Sequence, residues 1–192
     1  MDAPGVAEPH AAGHKRLFVG LDLPADVRGA LAALDRDAPG VRWVAPALLH
    51  LTLAFVGNVA PAGEARLHDA LGAVRFGAFD LHLAGVGAFG GPRPRVIWSG
   101  LHAVPDGLRH LHAHVHAAIS AAGLVADAAA FHPHVTLGRL RDGRRRDVEP
   151  FLSRYANAEF GRWTVREFVL FRSRLSPRGP DYVAELRCAS TP

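Results

Sequence analysis

Apolar residues along the chain fall into two alternating rhythms. Arg16-Leu-Phe-Val-Gly-Leu21 is a compact apolar run of strand type. Leu23, Val27, Leu31 and Leu34 then recur at three- and four-residue steps, which predicts an amphipathic helix to about Asp35. Asp22 is placed to cap it and Pro24 to sit in its first turn. Strands are expected over 41–44 and 49–55, with a turn at Gly57-Asn58. Pro61 opens a second helix carried by Ala65, Leu67, Leu71 and Val74. Phe79, Leu81 and Leu83 alternate with Asp80, His82 and Ala84, the period of a strand. Residues 90–94 form a Gly/Pro loop, and 96–100 a short strand. A third helix runs from Pro105 to about Ala122, closed by Gly123. A strand at 135–140, a charged loop at 141–147 and a short helix at 149–155 follow. Strands at 163–173 and 182–187 end the chain. Helices and strands are interspersed, but several strand pairs have short connections. That pattern predicts an α+β fold with largely antiparallel sheets rather than a doubly wound parallel one.

Composition narrows the class. The 192 residues suit one domain or two small lobes, and 49% hydrophobic with 21% charged residues is an ordinary globular mix. The net charge is only +4, yet all but one of the 22 basic residues are arginine. This skew reads equally as nucleotide-composition bias or as a surface suited to a polyanion such as RNA. A single cysteine, Cys188, excludes a disulfide framework and any Cys-rich zinc module. No apolar run approaches a membrane span of ~20 residues. Cytoplasmic placement is the expectation, with residues 1–14 a disordered tail, 15–188 the domain and 189–192 a short C-terminal tail. The phosphate loop G-x-x-x-x-G-K-[ST], a strand-following G-x-G-x-x-G and the zinc motif H-E-x-x-H are absent.

The informative feature is a repeat. His50-Leu-Thr-Leu53 is matched, 84 residues on, by His134-Val-Thr-Leu137. In a strand, residues i and i+2 share a face, so each copy sets an imidazole beside a hydroxyl, with its apolar residues turned into the core. Two such faces confronting one another could supply an acid and a base on opposite sides of one reacting centre. The threonine hydroxyls and a nearby arginine could bind non-bridging phosphate oxygens. One H-x-T in a strand reads as structural; two matched copies read as a metal-free site for phosphoester cleavage.

The residues around these copies carry a wider resemblance. The opening Arg16-Leu-Phe-Val-Gly-Leu-Asp-Leu-Pro24, the extended first motif Leu49-His-Leu-Thr-Leu-Ala-Phe-Val-Gly57, the strand Pro94-Arg-Val-Ile-Trp98 and the second motif Phe131-His-Pro-His-Val-Thr-Leu-Gly-Arg139 are similar, in order and spacing, to the 2H phosphoesterase superfamily. They resemble in particular its RNA 2′,3′-cyclic phosphodiesterases, also called 2′-5′ RNA ligase-like proteins, over roughly residues 16–187. The resemblance implies a bilobal LigT-like fold: two pseudo-symmetric antiparallel sheets with outer helices and a central groove. It implies His50 and His134 as catalytic residues and Thr52, Thr136 and Arg139 as phosphate ligands. Arg139 has the wrong strand parity and reaches the groove only if the strand ends or bulges, which Gly138 would permit. The implied reaction opens the 2′,3′-cyclic phosphate of an RNA end, tRNA fragments included, to a 2′-phosphate, with 2′-5′ ligation in some members. It needs no metal and no cofactor, and size suggests a monomer.

Further groove candidates are His132, which shares parity with His134, and Phe18 and Phe55, whose apolar neighbours nevertheless favour core packing; Trp43 and Trp98 read the same way. His110, His112, His114 and His116 lie on a helix by the spacing of Leu108, Leu111, Val115 and Ile119. Their i,i+4 pairs could bind metal in vitro, but no carboxylate or thiol joins them, so a solvated face is the expectation. Arg141, Arg144, Arg145 and Arg146 are a solvated loop or a contact to RNA backbone. Two readings compete with an RNA-end hydrolase. One is a same-fold enzyme acting on small cyclic nucleotides or ADP-ribose cyclic phosphate; the other is a non-catalytic RNA-end binding module, against which the intact motifs argue.

Overall fold

The computed structural model describes residues 13–176 and 179–191; nearly all of the expected N-terminal tail lies outside them. Among the described residues nine strands and four helices follow in chain order: β1 (Lys15–Asp22), α1 (Ala25–Ala32), β2 (Val41–Trp43), β3 (His50–Val59), α2 (Pro61–Gly72), β4 (Phe79–Phe89), β5 (Val96–Leu101), α3 (Asp106–Ala121), β6 (Val135–Leu140), α4 (Arg145–Tyr155), β7 (Glu159–Val165), β8 (Glu167–Ser176) and β9 (Gly179–Ala189). A short 3-10 turn at Pro46–Leu48 precedes β3.

Every named strand pair is antiparallel, in the order β7-β4-β5-β6-β3-β1-β8-β9, with β2 also on β6. The sheet divides into two halves. β3, β1, β8 and β9 form one, and β7, β4, β5, β6 and β2 the other. Among the described strand residues a single backbone pair, Leu51 with Val135, joins them. These are the middle residues of the two H-x-T triplets, so the halves meet at the motifs themselves.

Alternation fills the core. Leu17, Val19 and Leu21 of β1, Leu51 and Leu53 of β3, Leu81 and Leu83 of β4, and Val135 and Leu137 of β6 turn to the helix-covered face. The apolar stripes of α1 (Val27, Leu31), α2 (Leu67, Leu71) and α3 (Leu108, Leu111, Val115, Ile119) cover them. Burial of this apolar surface is the main stabilising term. Helices cross between the halves: α1, which follows β1, packs on β7, and α3, which precedes β6, packs on β3.

Several details differ from the sequence expectation, among them the start of α4 at Arg145, inside the expected 141–147 loop. Gly57-Asn58 is not a turn: β3 runs through it with a bulge at Val56. The apolar run 163–173 is two strands, because Arg166 lies between β7 in one half and β8 in the other. Asp22 does not cap α1, whose N-cap is Pro24; its carboxylate instead accepts from Leu23 N–H and from Arg28. Finally, β9 runs to Ala189, and Thr191 bonds the Phe76 carbonyl and pairs with Gly77. No described helix is long and apolar enough to cross a membrane.

Candidate active site

The antiparallel pairing of Leu51 with Val135 decides what stands beside what. One step either way sets His50 toward Thr136 and Thr52 toward His134, all four on the face opposite the core. All four are half-buried. The structure therefore brings both motifs to one seam, each histidine leaning toward the other motif's threonine.

Both imidazoles are held alike. His50 Nδ1 donates to the Leu48 carbonyl at 2.7 Å, and His134 Nδ1 to the His132 carbonyl at 2.7 Å. A carbonyl can only accept, so Nδ1 carries the hydrogen and Nε2 is left to exchange a proton. Each ring is also walled by aromatics. Around His50 stand Phe18 at 4.8 Å, Tyr182 edge-on at 5.2 Å and Phe171 at 6.2 Å. Around His134 stand Phe89 edge-on at 5.0 Å, and His132 and Trp98 at 6.2 and 6.3 Å.

Burial in these cages lowers the pKa of both histidines. The Leu48 carbonyl and the Asp22 carboxylate push His50 back up; His134 and Arg139 lower it further. For His134 the His132 carbonyl raises the value, while the His132 ring and Arg139 lower it. Each ring thus feels Arg139, and His50 also feels His134. Burial raises the Tyr182 phenol, against the pull of Arg139 and Arg16.

Arg139 reaches the groove by the bulge its parity demanded. Trp98 pairs with Thr136 and Ile97 with Gly138, so Leu137 is the extra residue on β6. Beyond it the faces exchange: Gly138 turns inward and Arg139 is exposed on the groove side. Gly138 serves closeness rather than the bulge itself, since a Cβ there would lie 2.5 Å from Val41 Cγ1. β3 repeats the device. Gly20 pairs with Thr52 and Val19 with Ala54, which leaves Leu53 unpaired and turns Phe55 onto the groove face.

The remaining candidates separate. Phe55 is 45% exposed, against the expectation of core packing, and its ring lies 5.9 Å from Phe18. Phe18 is 3% exposed in a small cluster with Val169 and Phe171, so it walls the site and offers no free face. His132 is exposed, 5.1 Å from Phe89 and from Trp98. Trp98 is half-buried on the groove face rather than in the core, while Trp43 packs on Phe151 and bonds the Arg36 carbonyl. On α3, His110 and His114 are exposed; His112 stacks on Phe131 at 3.8 Å, bracing the segment that enters β6. A cavity of about 760 Å³ lined by Arg75, Phe79, His110 and His114 shares no residue with the motifs. Among the described residues no three His, Cys, Asp or Glu side chains converge to hold a metal ion. Phe89, Phe171 and Tyr182 were not singled out from sequence, and Asp22 was read only as a helix cap. Only the strand register shows that they face the histidines.

Fold and site define a bilobal α+β protein with one H-x-T motif per half, the architecture of a two-histidine phosphoesterase. The chain belongs to the 2′-5′ RNA ligase superfamily, whose family model matches residues 23–176. It is 34% identical to the RNA 2′,3′-cyclic phosphodiesterase of Archaeoglobus fulgidus over 87% of this chain and 96% of that protein. It is also 34% identical to that of Escherichia coli K12, over 85% and 93%. The crystal structure of E. coli LigT in apo form superposes with a TM-score of 0.77 at 29% identity, covering 94% of this chain and all of LigT.

Proposed function

We propose that this chain is an RNA 2′,3′-cyclic phosphodiesterase that works by paired histidines. The observation that carries the reading is the Leu51–Val135 seam, which aligns two imidazoles with matched Nδ1 anchors on one groove face. The relatives named above bear the same activity in their names, and E. coli LigT has been crystallised with 3′-AMP and with phosphate.

In the proposed reaction the terminal cyclic phosphate lies between the two rings. His134 Nε2 takes a proton from water as its oxygen attacks phosphorus. The P–O3′ bond breaks, and His50 Nε2 protonates O3′, leaving a 2′-phosphate. Thr52, Thr136 and Arg139 hold the non-bridging oxygens as charge builds on them. Phe55, exposed beside the motif, is a platform for the terminal base, and His132 borders the groove near Trp98. A ribose 5′-hydroxyl in the place of water would give a 2′-5′ linkage by the same steps.

The test is turnover of adenosine 2′,3′-cyclic phosphate and of an RNA with a 2′,3′-cyclic end, in EDTA. His50→Ala and His134→Ala are each expected to lose about 10²–10⁴ in rate. A phosphodiester with an aryloxide leaving group needs no acid, so it is expected to rescue His50→Ala but not His134→Ala. Near-normal turnover by both variants would end the scheme, and rescue of the wrong variant would reverse the roles. Loss of activity in EDTA would reject metal-free chemistry.

A further inference from the structure

β2 runs along β6 on the side away from β5 and sets Arg42 directly opposite Arg139. Directly opposed residues of an antiparallel pair share a face. Their flanking residues confirm the face, since Val41, Trp43 and Leu140 all pack against the core. Arg42 and Arg139 are therefore exposed side by side on the groove side. Like charges in this arrangement destabilise a sheet. Among the described residues neither guanidinium has a carboxylate within 4.0 Å to relieve it.

The surroundings deepen the repulsion. β2, the 90–95 loop, β6 and the 141–149 segment hold eight arginines against three carboxylates, a larger excess than the +4 of the whole chain. Among the described residues, Arg145 and Arg146 are the two of the eight that are ion-paired, with Glu149 and Asp147. The segments are built together: Arg145 N–H bonds the Pro92 carbonyl at 3.2 Å, and Leu140 N–H the Arg95 carbonyl at 2.9 Å. A continuous cationic edge thus begins at Arg139 and leads away from the seam. On the opposite bank Arg16 lies near Tyr182, but Phe55 holds the place equivalent to Arg139.

We infer that Arg42 binds the phosphodiester next to the terminal phosphate, and that the basic edge behind it guides the RNA chain leading to the reactive end. The terminal phosphate on Arg139 and the adjoining phosphodiester on Arg42 satisfy both guanidiniums at once and relieve the repulsive pair. The inference rests on the phosphodiesterase reading and adds a consequence to it: an RNA end is preferred to a free cyclic nucleotide.

The experiment uses Arg42→Gln in the full chain. Turnover is measured on adenosine 2′,3′-cyclic phosphate and on a short oligoribonucleotide with the same cyclic end. Binding of a fluorescent oligoribonucleotide ending in 2′-phosphate is followed by anisotropy across a salt series. The expected result is a loss of about tenfold in kcat/KM on the oligonucleotide, with less than about a twofold change on the mononucleotide. The salt slope of binding flattens by roughly 0.7, one phosphate contact to a single strand. The melting temperature stays level or rises, because a like-charge pair has gone. Equal losses on both substrates, or none on the oligonucleotide, would overturn the inference, as would equal Arg42-dependent binding of an oligonucleotide with a plain 3′-hydroxyl end. If the unmodified enzyme turned over neither substrate, the phosphodiesterase reading would fall instead. The anisotropy arm would then decide on Arg42 alone, with unchanged affinity counting against it.

Discussion

Phe55 and Arg139 occupy equivalent places in the two halves. Each follows its motif histidine by five residues, and each is turned onto the groove by a bulge at the leucine that ends its own motif. One backbone device is used twice with opposite chemistry, an apolar ring on one bank and a cation on the other.

For Phe55→Ala the expected outcome is weaker binding of the terminal base. Stacking on an aromatic ring is worth roughly 1–3 kcal/mol per base, so kcat/KM should fall by about fivefold to a hundredfold. The ring is 45% exposed, so thermal unfolding should barely move. Steady-state kinetics beside a melting curve checks both. A large loss of stability with unchanged KM would make the ring structural.

Arg139→Gln removes a cation that lowers both histidines. Both limbs of the pH profile of kcat/KM should therefore move upward, besides any fall in rate. In the unmodified enzyme the optimum should lie on the acid side of histidine's ordinary 6.5, since both rings are lowered from it. A profile that kept its limbs in the variant would place Arg139 away from the rings.

The same shifts bear on stability. A histidine whose folded pKa lies below its unfolded 6.5 binds fewer protons when folded, so stability grows with pH through that window. It is complete above 6.5 and is lost as pH falls toward the folded values. The melting temperature should drop on acidification from pH 7.5 to 5. The drop should be shallower in His50→Gln and His134→Gln, with a remainder from the lowered His112. Parallel slopes in all three proteins would contradict the burial described for the rings.

Gly138→Ala should destabilise by about 1–3 kcal/mol, the usual range for overpacking. Its Cβ would meet Val41 Cγ1 at 2.5 Å and Trp43 Cε3 at 3.2 Å, so β2 must move. Gly72→Ala, at the end of α2 with nothing within 4 Å, is the control and should be neutral or stabilising. Urea unfolding of the pair separates crowding from a general effect of losing glycine.

The H-x-T repeat, the parity argument and the apolar helical stripes were legible because each is a local periodicity. Arg139 shows where that stops. The chain announced that a bulge was required, but the extra residue is Leu137, chosen by pairing with β5 rather than by Gly138. Phe89, Phe171 and Tyr182 escaped for a related reason. Facing a histidine depends on register with strands that are remote in sequence, and no local pattern encodes it. The break at Arg166 was hidden because neither Gly nor Pro interrupts the apolar run around it.

That break has a mechanical consequence. The chain passes repeatedly between the halves, lending α1 to one and α3 to the other before it crosses a last time at Arg166. A single proteolytic nick in any connector between β2 and β7 leaves each fragment holding strands of both halves. A protein nicked there should stay clasped until it melts, and then melt all at once, because each piece carries part of both halves.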